Sequence, residues 1–384
     1  MTKEKLSSIY CAFLVLFMPL GMYSSGILTF SISDILLFVL LLVIGAFCLF
    51  RLNHLKCMTV FVPIIAYIVV QTMLLGDSMS TVLRAGRYVV YLIFIALFSL
   101  EFFDEKKAFK YYSIVACFST AFIILQFVVF KLLRYYIPGY IPFLKVARDE
   151  LVAYSEGIYT KTSTAVRMRS IFQEPAHYAS YVTGCLMLSL LRYEKTRKKK
   201  YLYLCAFLTF GILIAASSTG ILVAGICWGM FLIKHIKKPS KKMMLALIVV
   251  FLLVIPNIVK MDTFQMVVLR LQGGRTQQNR FGGYSEIWRL ININLRTLFF
   301  GYGMKMYESY LASWSRMLYY FGIVGVITYI VPFFLNSLKK REHFRIFCFL
   351  MLMGTGTSLL LSGNSMLLLS FMVCNNKDNV VVEE

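Results

Sequence analysis

Residues 167–181, RMRSIFQEPAHYASY, form the densest group of side chains in this chain that could do chemistry. The segment begins with two guanidinium groups, Arg167 and Arg169, whose planar forks match the oxygens of phosphate or carboxylate. A carboxylate, an imidazole and two phenols follow within a few residues: Glu174, His177, Tyr178 and Tyr181. The segment could therefore bind an anion and take up a proton at adjacent positions.

Pro175 predicts how these groups are arranged. Proline suits the first turn of a helix, so Glu174 is expected at the cap, with His177 and Tyr178 on the same helical face. Each side chain also has a structural alternative. Glu174 could be only a helix cap or an ion-pair partner of Arg169, and His177 could be a hydrogen-bonded interface residue.

The composition restricts the elements that can carry this segment. The 384 residues are 59% hydrophobic and 15% charged, with a mean hydropathy of +0.73. Soluble domains are about 45–50% apolar and about 25% charged, so a soluble enzyme and a disordered protein are excluded. The apolar runs are continuous and helix-length, which excludes a barrel of short alternating strands. We therefore predict an all-α polytopic membrane protein.

The apolar runs predict about 12 transmembrane helices (11–13) within a single integral membrane domain, residues 1–384. The predicted spans are residues 8–24, 30–50, 58–75, 88–100, 111–130, 175–191, 201–216, 219–233, 243–259, 317–335, 346–361 and 364–374. The Lys-rich loops alternate along the chain, so we expect both termini in the cytoplasm. Residues 131–174 and 260–316 then form two large external loops.

Arginine and lysine are sorted by side in this topology. Twelve of the 17 arginines but only five of the 23 lysines fall on the predicted outer side. Lysine would satisfy a topology signal, whereas arginine is suited to phosphate recognition. The sorting favours an outer site for a phosphorylated, membrane-embedded substrate. The alternatives are contact with anionic lipid headgroups and arginine side chains that snorkel from helix ends.

Two further elements are predicted near this outer side. Residues 285–300 are expected to form an interfacial helix with Ser285 as its cap and Gly301 as its stop. Asp34, near the outer end of the second span, is assigned to a cap or hydrogen-bond role.

No cofactor or metal site is expected. The nine cysteines form no Cys-x-x-Cys pair, and no phosphate-binding glycine loop is present. Nucleic acid is excluded as a partner because the basic residues are divided across a bilayer.

The segment Arg169-Ser170-Ile171-Phe172-Gln173-Glu174-Pro175 opens a span and lies beside a large external loop. With the basic second loop and its Gly301-Tyr302-Gly303, it resembles the Wzy-type polysaccharide polymerases of the O-antigen polymerase and ligase superfamily. The layout resembles this family over most of the chain, and the motifs over about 60 residues. One departure is that residues 260–316 contain no histidine, which the ligase branch is expected to place there.

The resemblance implies a metal-independent glycosyltransferase in the cytoplasmic (inner) membrane. It would join undecaprenyl-pyrophosphate-linked repeat units into O-antigen, capsule or exopolysaccharide on the outer face. Its partners would be these lipid-linked glycans, membrane lipids, a chain-length regulator and a flippase. The expected catalytic residues are Glu174, His177, Arg169 and Arg280. The expected pyrophosphate- or sugar-binding residues are Arg167, Arg275, Arg289, Tyr178, Arg84 and Arg87.

Two other functions remain open at this point. A ligase would transfer the finished glycan to a different acceptor by similar chemistry. A lipid-linked oligosaccharide flippase or other transporter could also have twelve spans, although polar groups deep in several spans would then be expected.

Overall fold

The computed structural model describes residues 2–27, 30–48, 55–141, 143–146, 168–235, 275–307 and 311–373. Over these residues the chain is all-helical and has no β-strand, which confirms the predicted fold class in its coarse form.

The described residues form thirteen α-helices. They are α1 (Lys3–Leu20), α2 (Ile32–Cys48), α3 (Leu55–Leu75), α4 (Met79–Phe102), α5 (Glu105–Leu133), α6 (Pro175–Thr196), α7 (Lys199–Ile214), α8 (Ser218–His235), α9 (Arg275–Ile291), α10 (Leu295–Phe300), α11 (Ser313–Ser337), α12 (Arg341–Gly354) and α13 (Met366–Val373). A short 3₁₀ turn, Gly363–Ser365, precedes α13.

Three of these helices, α4, α5 and α11, are long and apolar enough to cross a membrane. Shorter apolar stretches lie in α2, α3, α8 and the Gly363–Val373 segment. These helices indicate membrane association, and the number of twelve spans stays a prediction. The predicted span 243–259 and much of both predicted external loops lie outside the described residues.

The chain divides into two compact units, and the single membrane domain of residues 1–384 stays a prediction. The first unit comprises residues 1–17, 36–111 and 284–384, and the second comprises residues 18–35 and 112–283.

In the first unit, α11 packs against α3, α10, α12 and α13, and α4 packs against α3 and α13. A buried hydroxyl network joins three of its helices. The Tyr10 hydroxyl lies 2.8 Å from Ser99 Oγ, which donates to Ser370 Oγ at 3.0 Å. Because each hydroxyl has a partner, these polar groups are compatible with an apolar core.

In the second unit, α6 is the central helix and packs against α7 and α8. All residues from Tyr178 to Leu191 are buried. The α5 helix contacts the same helix, because the Tyr112 hydroxyl donates to the Tyr181 carbonyl at 2.5 Å. The predicted sixth span is thus surrounded by protein on every side over most of its length.

The role predicted for Asp34 is confirmed. Its carboxylate accepts from the Ser31 backbone N–H at 2.9 Å and from the Ser31 hydroxyl at 2.8 Å. Asp34 lies in the first turn of α2, so this pair forms the reciprocal contact of a capping box.

The predicted interfacial helix 285–300 is wrong at its start. Two helices are present: α9 runs through Ser285, and α10 begins after Asn294. Asn294 is the reason for the break, because its side chain accepts from the Thr297 backbone N–H at 2.8 Å and caps α10. The stop at Gly301 is confirmed, with φ at 68°.

Candidate functional site

The start of α6 has the predicted arrangement. Glu174 is the N-cap residue, in an extended conformation (φ −139°, ψ 153°), and Pro175 follows at the first helical position. The Glu174 carbonyl accepts from the backbone N–H groups of His177 at 3.0 Å and Tyr178 at 3.2 Å. The Glu174 side chain makes no capping hydrogen bond. A role as helix cap therefore explains the backbone conformation of Glu174 but gives its carboxylate no function.

The turn before α6, residues 169–173, is held in a conformation that requires support. Ser170 has a positive φ of 55°, which is unfavourable for a side chain with a Cβ. Its backbone N–H donates to Gln126 Oε1 at 2.9 Å, and its hydroxyl donates to the Ser119 carbonyl at 2.6 Å. These bonds to α5 compensate for the unfavourable backbone conformation.

Gln126 connects this turn to the segment that follows α5. Its side chain is fully buried, and its amide nitrogen donates to the Ile137 carbonyl at 2.8 Å while its oxygen accepts from Ser170. Gly139 lies against the same turn, because a Cβ there would stand 1.7 Å from the Ser170 carbonyl oxygen. Both ends of one amide thus fix two segments that are about 30 residues apart in sequence.

Arg169 is the largest fully buried side chain among the described residues and is 1% exposed. Its Nε donates to the Tyr136 hydroxyl at 3.3 Å, and its Nη1 donates to the Gln173 carbonyl at 3.4 Å. The guanidinium also lies 5.7 Å from the ring centroid of Tyr140. A buried guanidinium requires such partners, and they hold its charge in one place near the start of α6.

Gln173 is a residue that sequence reasoning missed. Its side-chain nitrogen is buried and has no hydrogen-bond partner among the described residues. A buried donor without a partner costs about 1–3 kcal/mol of folding free energy. Because it lies beside Arg169 and Glu174, Gln173 is a candidate for binding a ligand. The only sequence signal was its place inside the motif.

The imidazole of His177 and the phenol of Tyr178, both on α6, lie in different environments. His177 is half-buried and keeps an interaction with its surroundings. Tyr178 is fully buried, with its hydroxyl 3.0 Å from Thr120 Oγ1 and close to Gly211 of α7. In this conformation Tyr178 packs the core and has no exposed face for a sugar ring.

Six predicted arginines remain. Three lie in the first unit, and the side chains of the other three are outside the described residues. Arg84 of α4 donates through Nη1 to the Met304 carbonyl at 3.2 Å. Arg87 is half-buried on the same helix, and Arg289 is exposed on α9. Arg275 and Arg280 lie in α9, but their side chains, like the whole of Arg167, are outside the described residues.

The first unit contains a break in α11 that also involves the predicted Gly-x-Gly segment. Gly322 has φ 63° and ψ −169° and interrupts the helix. The carbonyls freed at Tyr319 and Tyr320 accept from the backbone N–H groups of Tyr302 at 2.8 Å and Gly303 at 2.9 Å. The Gln71 amide of α3 adds a 2.7 Å bond to the Tyr320 carbonyl. The broken backbone is therefore satisfied by protein, as a membrane environment requires.

A cavity of about 400 Å³ lies beside this break. The end of α3 forms one wall, and its polar lining residues are Asp77, Asn294, Arg296, Thr297, Tyr302 and Lys305. Lys305 Nζ lies 2.6 Å from the Asp77 carboxylate, and this hydrogen bond lowers the pKa of Asp77 below its ordinary value. Sequence reasoning did not select Asp77, Arg296 or Lys305 as site residues.

In the described part of the chain, no three His, Cys, Asp or Glu residues form a group that could hold a metal ion. No protein-family model matches the chain, and no curated protein is similar to it. The resemblance to the polymerase family therefore rests on the residues of this sequence alone and stays a prediction.

Proposed function

We propose that this chain is a metal-independent glycosyltransferase of the polymerase type. It would join undecaprenyl-pyrophosphate-linked oligosaccharide repeat units on the outer face of the cytoplasmic membrane. An acceptor hydroxyl attacks the anomeric carbon of the donor glycan, the carbon–oxygen bond to the lipid pyrophosphate breaks, and the pyrophosphate carries away the negative charge. The acceptor proton passes to a carboxylate or imidazole of the protein.

The observation that carries this proposal is the arrangement at the start of α6. A guanidinium held in place by Tyr136 and Gln173 lies five residues before a cap carboxylate that makes no capping bond. A fixed positive charge suits a leaving group that becomes more negative, since a preorganised charge needs no reorganisation during reaction. A carboxylate free of capping is available as a base.

The roles follow from these environments. Glu174 is the proposed base, and half-buried His177 is its partner or substitute. Buried Arg169 provides a fixed positive charge near the departing pyrophosphate, and the arginines of the second loop, above all Arg280, are the proposed direct contacts. The unpartnered nitrogen of Gln173 is suited to donate a hydrogen bond to a sugar oxygen.

The test is the glycan profile of a strain that lacks this chain and is complemented with variants. We expect Arg169→Ala and Glu174→Gln to reach the membrane in normal amounts but to produce single repeat units without long polymer. Lys145→Ala, an exposed charge change in the same predicted loop, is the matched control and should give normal polymer. Normal chain-length ladders from both site variants would refute the site assignment.

A second candidate function is transport of a lipid-linked glycan, and the break in α11 favours it. Discontinuous helices are typical of secondary transporters, where they surround the substrate near the middle of the membrane. The break at Gly322 differs from those sites because its freed carbonyls bond Tyr302, Gly303 and Gln71 within the protein.

Reconstituted vesicles distinguish the two functions. A fluorescent lipid-linked oligosaccharide would be placed in the inner leaflet, and a membrane-impermeant reductant would report its movement. The polymerase proposal predicts chain extension without protein-dependent movement between leaflets. Rapid movement without extension would replace that proposal with the transporter.

A further inference from the structure

The cavity in the first unit has a mixed hydrogen-bonding character. Its unpaired donors are the guanidinium of Arg296, which has no ion pair or hydrogen bond among the described residues, and the amide nitrogen of Asn294, whose oxygen caps α10. The Lys305 ammonium has three N–H donors, and among the described residues it contacts Asp77, which leaves donors for a ligand. Arg296 and Asn294 are exposed, so these donors are open to a ligand that supplies acceptors, preferably with negative charge.

The same cavity also offers acceptors to a ligand. Leu74 and Leu75 are at the end of α3, where the last carbonyls of a helix have no partner within it. Asp77 is an acceptor-only group, and its side chain remains 58% exposed beside Lys305. A simple anion would satisfy Arg296 and Lys305 but would leave Asp77 and the helix carbonyls without donors.

The cavity wall at Tyr302 is held in place by several contacts. Tyr302 stacks on Tyr319 with a centroid distance of 5.1 Å, and its hydroxyl donates to the Leu290 carbonyl at 3.0 Å. The Tyr302 backbone N–H donates to the Tyr319 carbonyl at the break in α11. Arg84 donates to the carbonyl of Met304, the residue next to Lys305. The polar groups are therefore placed before any ligand arrives, as in binding sites that are largely preformed.

We infer that this cavity binds a sugar ring that carries a carboxylate, with the carboxylate on Arg296 and Lys305 and ring hydroxyls on Asp77 and the end of α3. A uronate has both required parts: an acidic group that accepts two parallel hydrogen bonds from arginine, and hydroxyls that donate to carbonyls. The volume of about 400 Å³ is at the small end of ligand sites, which suits one or two rings. Binding of an acidic sugar by this cavity does not depend on the proposed function. That the sugar belongs to the lipid-linked repeat unit does rest on it.

The test uses the full chain in detergent with two matched probes, methyl glucuronide and methyl glucoside, which differ in the carboxylate. Ligand-observed NMR or calorimetry should show that the wild type prefers the glucuronide by about tenfold or more. Arg296→Gln and Lys305→Gln should reduce that preference to about twofold, with the glucoside affinity little changed. Asp77→Asn should weaken both sugars.

The control is Lys339→Gln, an exposed charge change elsewhere in the same unit, which should leave both affinities unchanged. Equal affinity of the wild type for the two sugars would overturn the inference. So would inorganic phosphate that displaces the glucuronide at equal concentration, because the cavity would then be a simple anion site. Glucuronide binding in a chain that makes no polymer would leave this inference standing and remove the proposed function.

Discussion

Gln126 shows how one side chain can hold the Arg169 turn in place. It accepts from the buried backbone N–H of Ser170 and donates to the carbonyl of Ile137, which is partly buried. The positive φ of Ser170 and the close approach of Gly139 are maintained by this contact and by the Ser170 hydroxyl. The position of Arg169 therefore depends on a residue that carries no charge.

Substitution of Gln126 by Leu should destabilise the second unit. It leaves the buried Ser170 N–H without a partner, at a cost of about 1–3 kcal/mol, and removes the donor of the partly buried Ile137 carbonyl. We expect a clearly lower melting temperature of the detergent-solubilised chain. Leu125→Ala, at an exposed position on the same helix, should change it little. Equal melting temperatures for the two variants would contradict this role.

Substitution of Gln173 by Met should separate function from stability. The change keeps the approximate volume and removes a buried donor that has no partner in the described residues. Because that donor is a cost to the folded state, the melting temperature should stay the same or rise. Polymer yield should fall if the nitrogen binds a glycan oxygen. A lower melting temperature with normal polymer would show that Gln173 is structural.

The ion pair of Asp77 and Lys305 predicts a pH dependence with a definite sign. Because the hydrogen bond from Lys305 lowers the pKa of Asp77 in the folded state, the pair stabilises the chain above the ordinary carboxyl value of about 4. That contribution is lost as the pH falls through the lowered pKa. The difference in melting temperature between wild type and Asp77→Asn should be small, since both groups are partly exposed, and should vanish in acid. A difference independent of pH would contradict the pairing.

At the scale of elements, the break in α11 is built by two short backbone segments in direct contact. A Cβ at Gly322 would lie 2.5 Å from the carbonyl carbon and oxygen of Phe299, and a Cβ at Gly301 would lie 2.6 Å from the Tyr320 oxygen. Only glycine allows this approach and the positive φ at both positions. The same contact shapes the wall of the cavity at Tyr302.

Gly322→Ala should therefore disturb both the helix and the cavity. The new methyl group overlaps backbone atoms that cannot move aside cheaply, so we expect a large fall in melting temperature and weaker glucuronide binding. The matched control is Gly225→Ala in α8, where a Cβ meets nothing within 4 Å and alanine favours the helix. Similar melting temperatures for both variants would show that the break is not required.

For the whole molecule, the charge distribution predicts an orientation. The Lys-rich loops and both termini should face the cytoplasm, and residues 131–174 and 260–316 should face outside. Reporter fusions that are active on only one side of the membrane, placed within each of these segments, measure this directly. We expect outside activity from both loops and inside activity from a fusion at the C-terminus. Cytoplasmic signals from the two loops would overturn the proposed function as well as the orientation.

The sequence alone determined the features that depend on composition and on near neighbours. Its apolar runs require helices because backbone groups in such segments must be satisfied locally. Pro175 and Gly301 mark a helix start and a helix stop through their own backbone restrictions. The predicted cap at Ser285 was wrong because the helix already begins at Arg275 and runs through Ser285, and Asn294 caps a separate helix further along.

The tertiary structure decided what depends on residues distant in sequence. It placed Tyr178 in the core, buried Arg169 among the tyrosines that follow α5, and left the side-chain nitrogen of Gln173 without a partner in the described part of the chain. It also joined the Gly301–Gly303 segment to the break at Gly322. Spacing along a chain predicts which residues share a helical face, whereas burial and hydrogen-bond partners arise from which helices pack together.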